Sequence, residues 1–261
     1  MATVWFVGAG PGSPDLITVR GRDLLSRAGA ILYAGSLVSS EHLKFAPENS
    51  VIADSSSMTL DEMTAWILQQ SSHTDTIIRL QTGDPAIYGA LAEMAQPLLA
   101  AGLTVKSVPG VPSSLASAAT ALETLTLPET TQTIILTRVE GRTPMPPGES
   151  LQELASHGST LCIHLSINLL PKIHKELTAA GWAESAPVLV VHKASWPGEE
   201  KILRGTLGDI EEICRTAKLK SQSMIIVSPA LGACQKETTP KSKLYNPTFG
   251  HGFRKASKEG L

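Results

Sequence analysis

The chain has 261 residues, 42% of them hydrophobic and 18% charged, and a formal net charge of −2. Two modest domains fit that length on a prior of about 150 residues each, the composition lies well away from disordered or membrane chains, and the slight acidity offers nothing to a polyanion, so nucleic acid is not an expected partner. No apolar run nears the roughly 18 residues of a spanning helix and no basic, cleavable leader opens the chain, so the expectation is a soluble cytoplasmic protein without a membrane partner.

In chain order, short β-rich runs alternate with helical periodicity. Val4–Val7 reads as a strand, Val19–Ser26 as a helix and Ala30–Tyr33 as a strand. A helix at Leu60–Gln70, a strand at Thr76–Leu80, a helix at Tyr88–Ala101 and a strand at Thr104–Val108 continue the rhythm. Such alternation implies βαβ units and a parallel sheet. Val108-Pro109-Gly110-Val111-Pro112 then interrupts it, because two prolines and a glycine suit a rigid extended turn. The first domain is therefore placed at residues 1–111 and a second at 112–235. The second set comprises a helix at Ser113–Leu122, strands at Thr133–Thr137 and Thr160–Leu165, a helix at Leu170–Ala179, a strand at Pro187–His192, a helix at Leu207–Ala217 and a strand at Ser223–Val227. Thr206 and Asp209 supply the start signal of the last helix. Residues 236–261 form a basic, turn-rich tail that alone reads as disordered, with Leu244, Tyr245 and Phe249 able to dock on the body. The fold class expected is α/β: two α/β domains with mostly parallel sheets and a cleft between them.

Three stretches carry chemistry. Gly8-Ala9-Gly10-Pro11-Gly12-Ser13 follows the first strand, and its glycines let a ligand approach the backbone where a Cβ would block it. It departs from the dinucleotide fingerprint: Ser13 stands where the third glycine belongs, Pro11 removes an N–H donor, and no acidic residue ends the second strand, which reads Leu32-Tyr33-Ala34-Gly35. NAD is thus disfavoured, and a plain tight turn explains the glycines as well. Gly83-Asp84-Pro85 lies at the carboxyl end of another strand, where open α/β sheets bind ligands; Asp84 could accept from a ribose or amine, or simply cap the next helix. Arg138 and Arg142 lie just past a strand, where guanidinium forks suit carboxylates, although a solvated loop accounts for them too.

Cys162, Cys214 and Cys234 are odd in number and scattered, which gives neither a disulfide framework nor a metal cluster. His164 and His192 sit singly in strands, as structural histidines do. No catalytic residue and no metal site can be assigned, so hydrolysis and metal chemistry lack a basis.

Taken together, Val7-Gly8-Ala9-Gly10-Pro11-Gly12, Tyr33-Ala34-Gly35-Ser36-Leu37, Thr82-Gly83-Asp84 to Tyr88, Val108-Pro109-Gly110-Val111 and Ala194-Ser195-Trp196-Pro197 resemble the tetrapyrrole methylase family in order and spacing across nearly the whole chain. The runs YAGSLV, LPETTQTIILTRVEGRTPMP, KASWPGEEKILRGTLGDI and SKLYNPTFGHGFRKA resemble most closely the members that methylate C-11 of precorrin-4 or cobalt-precorrin-4. The resemblance implies a homodimer of two-domain subunits that take S-adenosylmethionine in the interdomain cleft, release S-adenosylhomocysteine, and hold a corrin precursor over an adjacent trough. Carried onto this sequence, the donor would contact Pro11, Gly83, Asp84, Ile87, Pro112, Ser113, Leu165, Ala194 and Thr206. The substrate's acetates and propionates call for local cations: Arg138, Arg142, Lys193 and Arg204 are the candidates, with Tyr33 and Ser36 lining the trough. Methylation at another ring position (C-2/C-7, C-3 or C-17), an NAD-dependent oxidoreductase and a non-enzymatic nucleotide sensor are the competing readings.

Overall fold

The computed structural model describes residues 2–257. Its contacts divide the chain into two units, Met1–Ser117 with Lys193–Lys201, and Ala118–His192 with Ile202–Leu261.

The first unit is built on a five-stranded sheet of β1 (Thr3–Gly8), β2 (Ala30–Tyr33), β3 (Val51–Asp54), β4 (Thr76–Gln81) and β5 (Thr104–Val108), in the order β3-β2-β4-β1-β5. All its ladders are parallel. Helix α1 (Val19–Leu25) covers one face, where Leu24 and Leu25 pack with Val7, Ile31, Ile78, Leu80 and Val108. Helices α2 (Leu60–Gln70) and α3 (Leu91–Ala100) cover the other, with Ile67, Met94 and Leu98 against Val4, Phe6, Leu32 and Ile77. Burial on both faces is why these strands read as nearly continuous apolar runs. Phe6, fully buried, contributes about 1.5–3 kcal/mol by that burial.

Two features of this unit differ from expectation. The helix expected from Tyr88 begins only at Leu91, because Tyr88 and Ala90 adopt φ of 54° and 50°, left-handed values that a right-handed helix cannot contain. The side-chain amide of Gln81 donates to Gly89 O and holds that irregular turn. Strand β3 was not anticipated; it is four residues long at the sheet edge, and Val51 and Ile52 are exposed, so no alternation marks it.

Helix α4 (Ser113–Thr120) carries the chain across the division between the units. The second unit contains β6 (Ile134–Arg138), α5 (Leu151–Ala155), β7 (Thr160–His164), α6 (Leu170–Ala179), β8 (Pro187–His192), β9 (Lys201–Thr206), α7 (Ile210–Thr216) and β10 (Ser223–Val227), with the strands in the order β6-β7-β10-β8-β9. Here β6 and β7 are parallel, whereas β10 runs antiparallel to both β7 and β8, so this sheet is mixed. Leu161, Ile163, Val190 and Ile225 pack against Leu151, Ile173, Leu177 and Ile210 of the three following helices. The last helix starts at Ile210 instead of Leu207 because the Asp209 carboxylate accepts from Thr206 N at 2.6 Å and makes a turn of the intervening residues. The tail folds on itself: Arg254 donates to the carbonyls of Leu244, Asn246 and Phe249, while Leu244, Tyr245 and Phe249 stay exposed instead of docking. Among the described residues no helix is long and apolar enough to cross a membrane.

Candidate functional site

Neighbouring strands β1 and β4 send the chain in opposite directions, β1 toward β2 and β4 past β1 toward β5. Crevices of this kind, outside the carboxyl ends of parallel strands, are where open α/β sheets bind ligands. The loops after β1, β4 and β5 meet there. Ala9 N donates to Gln81 O at 2.7 Å, Gly83 N to Gly10 O at 2.8 Å, and Gly10 N to Gly83 O at 3.3 Å. Asp84 joins the third loop to the second: one carboxylate oxygen accepts from Gly110 N at 3.0 Å and the other from Ala86 N at 2.8 Å. It caps no helix, since α3 starts seven residues later, at Leu91.

Glycine is required at this junction for two distinct reasons. A Cβ on Gly8 would lie 2.6 Å from Gly110 Cα and from Gly83 O, and one on Gly110 would lie 2.0 Å from Gly83 O, so the three backbones touch without room for a methyl group. Gly83 has no neighbour within 3.7 Å of such an atom but adopts φ +59°, which disfavours a side chain conformationally. Residues 8–13, 82–88 and 109–113 contain no Lys or Arg and one acid, Asp84. Such a lining suits a ligand carrying positive charge better than a diphosphate, in line with the missing dinucleotide fingerprint. Ile87 N donates to Asp84 O at 3.1 Å, and Pro112 O accepts from Ala116 N at 3.0 Å as α4 begins at Ser113.

Segment Lys193–Lys201 belongs to this unit by its contacts. Ala194 is buried, Ser195 Oγ accepts from Ser13 N at 3.1 Å, and Trp196 Nε1 donates to Pro11 O at 3.1 Å. The indole covers Gly12, where a Cβ would stand 2.1 Å from the ring. Trp196 and Glu199 also line a cavity of about 600 Å³, together with Tyr33, Ser39 and Glu41. The turn after Tyr33, including exposed Ser36, is held from below. Arg79 Nη1 donates to Ser55 Oγ at 2.8 Å, Ser55 Oγ to Tyr33 O at 3.1 Å, and Gly35 N to the Asp54 carboxylate at 3.0 Å. Burial lowers the Arg79 pKa to about 10, partly offset by the Asp54 charge. Hydrogen bonds from Ser56 N and Gly35 N hold the Asp54 carboxyl below its ordinary range.

Thus Pro11, Gly83, Asp84, Ile87, Pro112, Ser113 and Ala194, with Tyr33, Ser36 and Lys193, fall in the first unit. Leu165, Thr206, Arg138, Arg142 and Arg204 fall in the second. Leu165 follows β7 with φ 55° and 68% exposure, and Thr206 ends β9. Three of the four candidate cations have partners within the chain. Arg138 donates to Thr143 O at 3.1 Å and Pro144 O at 2.6 Å, Lys193 pairs with Glu199 and lies 4.8 Å over the Trp196 ring, and Arg204 pairs with Glu123. Arg142 is exposed on the loop after β6.

Burial lowers the His164 pKa to about 4 and pushes the Cys162 and Cys214 thiols up to about 12 and about 11, which leaves all three neutral and the thiols inert. Among the described residues no three His, Cys, Asp or Glu side chains gather as metal ligands. Sequence reasoning passed over the contacts that His42, Trp196 and Gly110 make with the first two loops. Trp196 and Gly110 lay inside quoted motifs, but only the structure shows what they touch, while the SSEHLKF run around His42 carries no periodic signal at all.

Residues 3–211 match the family model for Tetrapyrrole (Corrin/Porphyrin) Methylases. The chain is 44% identical over 255 residues to the cobalt-precorrin-4 C(11)-methyltransferase of Priestia megaterium, covering 98% of each. Its fold superposes with TM-score 0.85 on the X-ray structure of a cobalt precorrin-4 methyltransferase described as a cobalamin biosynthetic enzyme, at 44% identity over 88% of this chain and 95% of that one. The uroporphyrin-III C-methyltransferase of Thermus thermophilus, solved with S-adenosylhomocysteine, gives TM-score 0.74 at 27% identity over 88% of this chain and 99% of that one. With the family model spanning most of the chain and the relatives aligned nearly end to end, this protein belongs to the tetrapyrrole methylase family.

Proposed function

We propose that this protein transfers a methyl group from S-adenosylmethionine to C-11 of precorrin-4, with or without cobalt in the ring, in cobalamin biosynthesis. The observation that carries the reading is the 44% identity, over 98% of both chains, to a cobalt-precorrin-4 C(11)-methyltransferase. It is supported by the three glycine loops, whose bare backbones and single acid fit a sulfonium compound with an ammonium group.

S-adenosylmethionine supplies a methyl group already activated on sulfur. The task left to the protein is positioning, which for well-oriented reactants amounts to about 7–11 kcal/mol. Pro11, Gly83, Asp84, Ile87, Pro112, Ser113 and Ala194 are assigned to the donor, with Asp84 fixing the two loops it joins. Leu165 and Thr206 carry the same assignment in the second unit. Tyr33 and Ser36 face the tetrapyrrole, and its carboxylates fall to Arg142, Arg138, Lys193 and Arg204; the last three must give up or share their present partners to bind. No side chain is assigned as a general base. We further infer a cytoplasmic homodimer, which light scattering on the purified protein would check as a mass of twice the 27.6 kDa chain.

The test is incubation of purified protein with methyl-labelled S-adenosylmethionine and either precorrin-4 or cobalt-precorrin-4, followed by mass spectrometry. One added methyl is expected on at least one of them. Donor binding without transfer to either would overturn the reading and favour another ring position or a nucleotide sensor.

A further inference from the structure

Three consecutive carbonyls of the first glycine loop are each taken by a different part of the unit. Ala9 O lies 2.9 Å from Nε2 of His42, Gly10 O accepts from Gly83 N at 2.8 Å, and Pro11 O accepts from Trp196 Nε1 at 3.1 Å. Gly83 belongs to the second donor loop. The other two partners lead elsewhere. His42, fully buried, follows Glu41 in the wall of the 600 Å³ cavity, and its Nδ1 lies 2.9 Å from Ser39 O in the same wall. Trp196 lines the same cavity from a second segment of the chain.

Carbonyl oxygens only accept, so the contact to Pro11 O draws on the Trp196 indole N–H and the contact to Ala9 O on the Nε2–H tautomer of His42, whose single ring N–H in the neutral form then leaves Ser39 O without a donor from the ring. Buried hydrogen bonds of this kind are costly to break without replacement. A displacement of the Ala9–Pro11 backbone is therefore passed to both segments lining the cavity, and Gly12 cannot yield because the Trp196 ring already occupies the space of a Cβ. The cavity lies beside Tyr33, on the turn assigned above to the tetrapyrrole.

We propose that His42 and Trp196 are positioning residues that fasten these two cavity-lining segments to the methyl-donor loop, so that donor and tetrapyrrole bind with mutually reinforced affinity. The proposal rests on the donor and substrate assignments made above. Neither residue need touch either ligand. The coupling is reciprocal by thermodynamic necessity, and values for linked sites commonly lie between about 5- and 150-fold.

Calorimetry of S-adenosylhomocysteine binding, with and without saturating cobalt-precorrin-4, reads the coupling directly. Wild type is expected to bind S-adenosylhomocysteine at least about fivefold more tightly in the ternary complex. Trp196→Phe keeps an aromatic ring at this position and removes the N–H together with the five-membered ring that carries it; it should abolish most of that enhancement while leaving affinity without tetrapyrrole within about threefold, whereas lost packing alone would weaken both states alike. His42→Asn places an amide nitrogen where Nδ1 stands and loses the bond to Ala9, whereas His42→Gln can place one where Nε2 stands and keep it. Glutamine should restore coupling that asparagine loses, a split that a merely structural role would not produce. Should the His42 variants fail to fold, Trp196→Phe decides alone. Wild type that methylates the tetrapyrrole yet shows no coupling, or variants that keep it in full, would overturn this proposal and leave the proposed function standing. Absence of tetrapyrrole binding by wild type would overturn both.

Discussion

Gly110 stands where three loops converge, and adding one methyl group there tests whether their contact matters for function. A Cβ at Gly110 would meet Gly83 O at 2.0 Å and Gly8 Cα at 2.9 Å, both backbone atoms with no flexible end to turn aside. Ordinary contact starts at 3.4 Å, so the loops after β4 and β5 must part by the difference, about 1.4 Å. Overpacking of this kind costs about 1–3 kcal/mol in stability. Its effect on function should be at least as telling, because a shift of about 1 Å in positioning groups can cost on the order of 100-fold in rate, about 2.7 kcal/mol. The parting also strains the bond from Gly110 N to Asp84 and the paired bonds between Gly10 and Gly83. Gly110→Ala is therefore expected to lower kcat/KM about 100-fold and to weaken S-adenosylhomocysteine binding, with a small drop in the urea midpoint. Gly102→Ala is the control: unlike Gly110, that glycine has positive φ, and a Cβ there meets nothing within 4 Å. It should cost stability alone. Gly110→Ala with wild-type donor affinity and wild-type turnover would refute the claim that loop contact shapes the donor site.

Asp84→Ala removes the acceptor of two backbone N–H groups and the only charge in the donor loops, and should weaken S-adenosylhomocysteine about 10- to 100-fold by calorimetry while tetrapyrrole affinity changes less; equal donor affinity in wild type and variant would remove Asp84 from the site. His164 makes stability pH-dependent with a definite sign. Burial lowers its pKa to about 4, so the unfolded chain, titrating near 6.5, takes up the proton first. Stability is full above that pH and declines as pH falls toward 4, by about 2 kcal/mol between pH 7.5 and pH 5. Urea midpoints at the two pH values should show His164→Asn lacking this part of the slope, and an identical slope in both proteins counts against it. In the second unit the fully buried Glu123 carboxylate binds Arg204 and accepts from Gly232 N at 2.8 Å; Glu123→Ala should destabilise by about 1–3 kcal/mol in urea melts, and an unchanged midpoint would show that pair to be energetically idle.

Elements buried on a sheet face or carrying their own end signals were legible in the sequence. Ala30–Tyr33, Leu60–Gln70, Thr104–Val108, Leu170–Ala179, Pro187–His192 and Ser223–Val227 have the expected bounds. What escaped was local chemistry overriding pattern. Tyr88 and Ala90 continue an apolar helical periodicity but lie in left-handed conformations that only the folded loop imposes. Edge strands β3 and β9 are half-solvated, so neither a continuous apolar run nor a clean alternation marks them. Antiparallel β10 looks in sequence like a parallel strand, since both kinds bury Ile and Val alike. At the site, the glycines were visible as glycines, but their mutual contact depends on three loops far apart in sequence. The cations were chosen by type, and partners such as Glu123, 81 residues from Arg204, could not be read from spacing.

The account's central claim is the reaction at one ring carbon. The direct measurement is carbon-13 NMR of the tetrapyrrole recovered after incubation with carbon-13-methyl S-adenosylmethionine. The account predicts a single labelled methyl attached at C-11. A label at C-2, C-7, C-3 or C-17, or none on the macrocycle, would contradict it.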